Sequence, residues 1–511
     1  MKFLKKLFNT LFGRLTIFGL LVILQVAFIV WLVVYFEEYS FYVNLSFSIL
    51  ALLIALNLNF RYMPNEAKVS WCVLLILFPA FGIIAYLMFS RNYVSLRQKR
   101  FFTRFYEENV FYLKNKTYKK DNISEKLDKI QLGQLQYLES FNANKGYTKN
   151  QTTFFPSGEE YFEDLLKELK TAEKFIFIEF FIVERGQMLN PILDILKEKV
   201  KQGVEVRLVY DDIGSIKNVE ASFYLKLRKM GIKAYKFNRF IPIASAVHNN
   251  RDHRKFVIID GKTFYTGGCN IADEYINKKE RFGYWKDSMV KIKGPAVDSA
   301  TVMFLTTYML LSKKNEKVDI YLNHYDKYDE EGIVCPYGDG PRPFYKEYIG
   351  ENVIINMINQ SENYIYITTP YFVCDDKIKQ ALINASKRGV DVRIIVPHIP
   401  DKPLVFALTR SNYARLQKAG VKVYEFEPGF VHAKQIVCDD KLAQVGTINL
   451  DYRSLLHHYE DAVWFANSPV IKDIKKDFEE TFPKCIDMTG HKQNKIKHFL
   501  CKLIENLQPL L

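Results

Sequence analysis

Three long apolar runs crowd the first 90 residues, at 15–36 (LTIFGLLVILQVAFIVWLVVYF), 41–58 (FYVNLSFSILALLIALNL) and 69–89 (VSWCVLLILFPAFGIIAYLMF). A helix needs about 20 apolar residues to span a bilayer. The first and third runs are long enough, and the second is marginal. A cleavable signal has a shorter apolar region and a small-residue cleavage site, and neither is evident around 15–36. Lys2, Lys5, Lys6 and Arg14 precede the first run, and Arg91, Arg97, Lys99, Arg100 and Arg104 follow the third. Basic flanks favour the cytoplasm. Three full crossings would put the two basic ends on opposite sides, so one run is expected not to cross. Pro79 and Gly82 make the third a candidate for re-entry. Two further stretches read as amphipathic interfacial helices: residues 1–14, with Phe3, Leu4, Leu7, Phe8, Leu11 and Phe12 against Lys2, Lys5 and Lys6, and the C-terminus, with Ile496, Phe499, Leu500, Leu503 and Leu507.

Beyond residue 150 the pattern changes to short apolar strands alternating with helical stretches, and it does so twice. KFIFIEFFIV (174–183) answers NYIYITTPYFV (363–373), GVEVRLVYDD (203–212) answers GVDVRIIVP (389–397), and LRKMGIKAYKF (227–237) answers LQKAGVKVYEF (416–426). Strand and helix in alternation predict an α/β fold, duplicated, with mostly parallel sheets flanked by helices. The expected organisation is membrane segments over 1–92, a juxtamembrane linker over 93–150, a first half over 151–312, a connector over 313–345, a second half over 346–490 and the tail over 491–511.

The chemistry sits on a strand that occurs in both halves. DHRKFVIID (252–260) carries His253, Lys255 and Asp260, and VHAKQIVCD (431–439) carries His432, Lys434 and Asp439. Alternation along a strand puts each His and Lys on one face. A two-residue turn at Gly261 and Lys262 would set His253 opposite Asn270; the same count sets His432 opposite Asn449. It also puts Gly268 and Thr447 opposite the lysines, leaving room for a ligand. Two His, two Lys and two Asn converging on one point suit a phosphate, with one imidazole attacking phosphorus and the other protonating the leaving oxygen. Each His needs a carboxylate to orient it. Asp287 lies downstream of the first motif and Glu460 downstream of the second, with Glu280 and Asp461 as alternatives. Asp260 and Asp439 belong to the motif, yet their place at the strand ends suits holding the hairpins better than chemistry. Neither a metal nor a cofactor is called for: the residues form no carboxylate cluster and contain no nucleotide loop.

The net charge of +14 suits an anionic partner, a nucleic acid or an acidic bilayer. The seven cysteines lack a C-x-x-C pair, which argues against a disulfide framework or zinc site. The paired H-x-K-x4-D motif resembles the phospholipase D superfamily. The apolar N-terminus, with NNRDHRKFVIIDGKTFYTGGCNIADEY, GYWKDSMVKIKGPAV, TTPYF, VHAKQIV and GTINLDYRSLLHHYE, resembles its bacterial cardiolipin synthases. Thr447 departs from a common serine, and PYGDGPRP is not a close match. The resemblance implies transfer of a phosphatidyl group between two phosphatidylglycerols at a cell membrane. Its partners would be phosphatidylglycerol and anionic membrane lipids, with the catalytic part on the cytoplasmic face. His253 would be the nucleophile by family tendency, although the symmetry leaves that reversible. Transfer to water or to another alcohol remains open. The apolar runs weigh against a nuclease, so no nucleic acid is expected, and a non-catalytic scaffold would tolerate His253→Ala.

Overall fold

The computed structural model describes residues 41–61, 63–90, 123–141, 144–241, 246–326, 328–342, 344–491 and 494–507, with scattered positions between 23 and 35 and between 100 and 104. The amphipathic start at 1–14, most of the first apolar run and most of the basic cluster after residue 90 lie outside the described residues. So do the side chains of Phe499, Leu503 and Leu507. The rest falls into two compact units, one drawn from Met1–Val94, Arg239–Asn250 and Phe499–Leu511, the other from Ser95–Asn238 and Arg251–His498.

In the first unit the second apolar run is one helix, Phe41–Leu58, which is long and apolar enough to cross a bilayer. The third run is broken into two helices, Asn65–Leu77 and Pro79–Phe89, where Phe78 leaves helical geometry (φ −136°, ψ 72°). Proline fits the first helical turn because its missing N–H has no partner there anyway. Gly82 lets the second piece approach the first: a Cβ there would stand 2.8 Å from the Leu74 carbonyl oxygen. Neither piece, at 13 and 11 residues, is long enough to span alone.

The second unit holds both repeats. The first contributes β1 (Gln151–Phe155), β2 (Phe175–Phe180), β3 (Glu205–Asp211), β4 (Lys233–Phe237), β5 (Lys255–Ile259), β6 (Thr263–Gly267), β7 (Tyr284–Lys286) and β8 (Met289–Lys293). The second contributes β9 (Ile333–Asp339), β10 (Tyr364–Thr368), β11 (Phe372–Val373), β12 (Asp391–Pro397), β13 (Lys422–Phe426), β14 (Gly429–Val431), β15 (Gln435–Cys438), β16 (Leu442–Gly446), β17 (Leu450–Asp451), β18 (Glu460–Ala466) and β19 (Cys485–Asp487). A seven-stranded sheet runs β1-β8-β6-β5-β2-β3-β4, and an eight-stranded sheet runs β19-β13-β12-β10-β15-β16-β18-β9. The duplicated α/β architecture is thus present: the seven strands of the first sheet have counterparts in the same order in the second, which adds β19 at one edge. The sheets are mixed: β2, β3 and β4 run parallel, as do β10, β12 and β13, whereas the hairpin strands join them antiparallel. The helix-connected segments supply the parallel strands, and the motif strand turns back on itself through a tight loop, which forces the antiparallel part.

The stretch expected as a connector is partly ordered into the second sheet. All of β9 is buried on its edge, equivalent to β1 on the first. Pro336 and Gly338 disguise it in the sequence, and an edge is where a strand tolerates proline. One apolar core runs through both repeats, joining Phe256, Ile258 and Phe264 to Val437, Ala443 and Val463 through the helices Val297–Ser312 and Val470–Thr481.

The hairpin turns hold three residues, not two. Ile259 pairs with Thr263 and Cys438 with Leu442, so the register moves by one and Asp260 and Asp439 enter the loops. Both have left-handed backbones (φ 54° and 55°), a conformation Asp tolerates better than most residues. Each carboxylate accepts three backbone N–H groups, from Glu173, Lys174 and Phe175 for Asp260 and from Glu362, Asn363 and Tyr364 for Asp439. That capture of the neighbouring strand's start pulls the aspartates out of the ladder. Asp260→Ala should therefore cost about 2–4 kcal/mol of stability, since each orphaned buried donor costs about 1–3 kcal/mol. Asp439→Ala, whose partners are more exposed, should cost less. Unfolding midpoints of the detergent-solubilised variants check the order, and equal midpoints for wild type and Asp260→Ala would refute the anchoring role.

Candidate active site

The two histidines lie just before their strands, where each repeat borders the other. His253 N–H donates to the Tyr459 carbonyl (2.8 Å) and His432 N–H to the Lys286 carbonyl (2.7 Å). The residue after each of those carbonyls is a carboxylate that takes the imidazole. Glu460 contacts His253 Nδ1 at 2.9 Å with both oxygens, and Asp287 contacts His432 Nδ1 at 2.7 Å. Asp287 and Glu460 are thus the orienting groups, but crossed between the repeats: the carboxylate downstream of each motif serves the other motif's histidine. Short ladders fix the crossing, Val431 beside Lys286 in the parallel pair β14–β7 and Asp252 beside Tyr459 in an isolated bridge. Of the alternatives, Glu280 is exposed, and Asp461 is buried, accepting from the Thr266 hydroxyl.

The register change alters what faces the lysines. In the ladder pattern Lys255 falls opposite Gly267, and Gly446 N–H bonds the Lys434 carbonyl. The space expected beside Gly268 is filled by protein: a Cβ there would lie 1.8 Å from Asp287 Oδ1, so the missing side chain makes room for the carboxylate, not for a ligand. The second repeat has Thr447 at the equivalent position, and its hydroxyl donates to Glu460. Ser454 donates to the other Glu460 oxygen. The departure from serine at 447 thus keeps the hydroxyl that matters.

Both lysines are fully buried, and each ammonium donates to the backbone carbonyl of its own motif histidine. Lys434 Nζ also lies 2.8 Å from His432 Nδ1. Asn270 Oδ1 accepts from Ile182 N–H (2.9 Å) and its amide donates to the Tyr275 hydroxyl (2.6 Å), which leaves one of its two amide N–H groups free for other work. Asn449 is buried and its Oδ1 has no hydrogen-bond partner. Asp260 and Asp439, grouped with the catalytic set by their motif, sit at the far ends of the strands with their carboxylates occupied by the backbone N–H groups they anchor.

Burial sets the protonation. It drives the His253 pKa well below its ordinary value, against the opposing pull of Glu460. Burial, then Lys434, bring His432 down to about 4, with Asp287 opposing. Burial lowers Lys255 to about 8 and Lys434 to about 7, and the second is lowered further by the first, so the two motifs share one electrostatic field. The carboxylates stay ionised: the Asp287 pKa falls below its usual range through His432 and Lys434, and that of Glu460 through His253, in each case despite burial. The result is two neutral imidazoles with ionised orienting groups, beside two lysines whose charged form is weakened by burial and supported by those carboxylates.

The environments differ. His432 is ringed by Tyr275 (5.4 Å between centroids), Trp285 (5.4 Å) and Phe430 (6.0 Å). His253 has Phe181 (5.0 Å) and His458 (5.3 Å). Sequence reasoning missed Ser454, Tyr275 and His458. A signal existed for the first two, because each is the hydroxyl-bearing residue five positions after the Asn of its repeat.

Residues 165–298 and 354–482 match the family model described as "Cardiolipin synthase, PLD-like domain", and residues 46–91 match one described as "Phospholipase_D-nuclease N-terminal". The chain is 30% identical to a cardiolipin synthase of Staphylococcus aureus, covering 91% of this chain and 94% of that protein. It is 32% identical to a cardiolipin synthase of Alkalihalophilus pseudofirmus, covering 92% and 93%. Among solved structures, phosphatidylserine synthase of Haemophilus influenzae has the same fold (TM-score 0.57, 16% identity), covering 74% of this chain and all of that one.

Proposed function

We propose that this chain, which belongs to the phospholipase D superfamily in the family of PLD-like cardiolipin synthase domains, transfers a phosphatidyl group from one phosphatidylglycerol to another. The observation that carries this reading is the pair of buried His/Lys sets, each oriented by a carboxylate of the other repeat and charged to receive one phosphodiester. Relatives called cardiolipin synthases along almost the whole chain support it, as does an N-terminal helix able to cross a bilayer.

In the proposed sequence the lipid phosphate enters between Lys255 and Lys434, with amide donation from Asn449 and the free N–H of Asn270. His253 Nε2, neutral because it is buried, attacks phosphorus while Glu460 stabilises the imidazolium that forms. The bond from phosphorus to the glycerol headgroup oxygen breaks. His432, protonated once the bound anion has raised its pKa, gives that oxygen its proton. A second phosphatidylglycerol then enters, and His432 takes the proton of its terminal hydroxyl. The oxygen attacks the phosphatidyl-histidine, and cardiolipin leaves with His253 restored. One phosphodiester replaces another, so no nucleotide is consumed.

Labelled phosphatidylglycerol given to the purified protein in mixed micelles should yield cardiolipin and glycerol in equal amounts. His253→Ala and His432→Ala should each abolish the reaction. Phosphatidic acid as the main product would instead identify a hydrolase. Mass spectrometry of the quenched enzyme should find the phosphatidyl adduct on His253; an adduct on His432 reverses the roles.

The lysines predict the pH response. With pKa values lowered to about 7 and 8, they hold their charge below those values and lose it as the pH rises. The bound phosphate raises both, so the enzyme–substrate complex keeps its charge to higher pH. Hence kcat/KM should fall as pH rises through about 7–8, while kcat falls only at higher pH. Parallel decline of the two across that range would refute this role for the lysines.

A further inference from the structure

The repeat breaks its own symmetry next to His253. Two residues before Glu460 stands His458, whereas two residues before Asp287 stands Trp285. Each ring lies beside the histidine that its neighbouring carboxylate serves, His458 at 5.3 Å from His253 and Trp285 at 5.4 Å from His432. His458 is buried, and its Nδ1 makes no hydrogen bond, lying 3.4 Å from Glu460 Oε1. The ligating atoms of His253, His458 and Glu460 all lie within 4.8 Å of one another.

We propose that His253, His458 and Glu460 form a site for one divalent transition-metal ion of the zinc class, and that the ion holds the enzyme inactive. Two imidazoles and a carboxylate are a donor set that zinc takes readily. With zinc–ligand bonds of about 2.1 Å, neighbouring donors in a tetrahedral shell stand about 3.4 Å apart. Of the separations facing Glu460, the 3.4 Å from His458 matches that value and the 2.9 Å from His253 is shorter by about 0.5 Å, an opening that one side-chain adjustment supplies. A carboxylate has lone pairs enough to keep the Ser454 and Thr447 hydroxyls while ligating. The cation that opposes binding, Lys255, turns its ammonium to the His253 carbonyl. In the other repeat Trp285 offers no lone pair, so no equivalent site forms beside His432.

Coordination through His253 Nδ1 requires the tautomer whose ring proton sits on Nε2, so the proton shared with Glu460 moves to Nε2 and no electrons change hands. With Nε2 protonated the ring has no lone pair left to attack phosphorus, and Glu460, engaged by the ion, no longer stabilises an imidazolium. The inhibitory consequence rests on the phosphatidyl-histidine reading above, whereas metal binding does not.

The test uses the full chain in detergent micelles, titrated with Co2+ as a spectroscopic probe and then with Zn2+. One equivalent should bind with the visible bands of a four-coordinate site, and Zn2+ should displace it. His458→Asn should weaken binding by about tenfold or more, and phosphatidyl transfer by the wild type should fall with zinc occupancy and return with chelator. Equal affinity in His458→Asn overturns the site. Because that variant could fold poorly, zinc-edge X-ray absorption of the wild-type protein provides the independent check. Two imidazoles with oxygen in the inner shell support the site, and sulfur ligands or a single imidazole overturn it. Zinc bound with transfer unaffected overturns the inhibitory role alone. A protein that binds zinc as described but transfers no phosphatidyl group overturns the functional reading and leaves the site standing.

Discussion

The exchange of carboxylates between the repeats is the constraint on which the rest depends. A buried histidine on its own would be neutral, free to rotate and free to choose its tautomer. Here each ring is held at Nδ1 by a carboxylate, and its backbone N–H is held by the carbonyl of the residue just before that carboxylate. Two bonds from two adjacent residues fix ring orientation and chain position together. Because both come from the opposite repeat, neither half can build a complete catalytic group alone. The shared apolar core is what keeps the halves in register.

That arrangement also explains how so many charges survive burial. An isolated buried ion costs several kcal/mol, yet Lys255, Lys434, Asp287 and Glu460 are all buried together. Each positive group has carboxylates in its field: Glu460, Asp461 and Asp287 raise Lys255, and Asp287 and Glu460 raise Lys434. The compensation is incomplete, and burial still holds both ammonium groups below their ordinary pKa. Under the proposed mechanism a bound phosphodiester would add a closer negative partner for both ammonium groups and would favour a proton on His432. Preorganised donors in a low-dielectric pocket are worth far more to such an anion than the same groups in water.

The duplication was legible from matched strands such as GVEVRLVYDD and GVDVRIIVP, because buried strands leave continuous apolar runs. The His, Lys and Asn residues of the site were legible from their repeated spacing. The pairing of Asp287 with His432 was not, since a crossing between repeats is a property of packing and leaves no mark on local sequence. The turn length was misjudged for a related reason. Asp-Gly suggests a two-residue hairpin loop, but Asp260 is claimed by three N–H groups of residues 173–175, more than eighty positions away. The strand β9 hid behind its proline, and the break at Phe78 was foreshadowed by Pro79 and Gly82.

A strictly two-fold site would give its histidines the same environment, yet the transfer asks different things of them. A nucleophile must carry a covalent phosphoryl group and its charge; an acid–base partner must only gain and lose a proton. The two environments differ, in a way that suits the proposed assignment of His253 as nucleophile. Glu460 is fixed by two hydroxyls, from Thr447 and Ser454, as suits a carboxylate that must face a persistent imidazolium. Asp287 occupies the space left by Gly268, and its histidine is packed among Tyr275, Trp285 and Phe430. Those aromatic walls enclose the ring, whose Nδ1 keeps Asp287 and Lys434 as polar neighbours. Under the proposed mechanism, divergence at a few flanking positions, with the motif residues untouched, would fit two copies of one hairpin to the roles of nucleophile and acid–base partner.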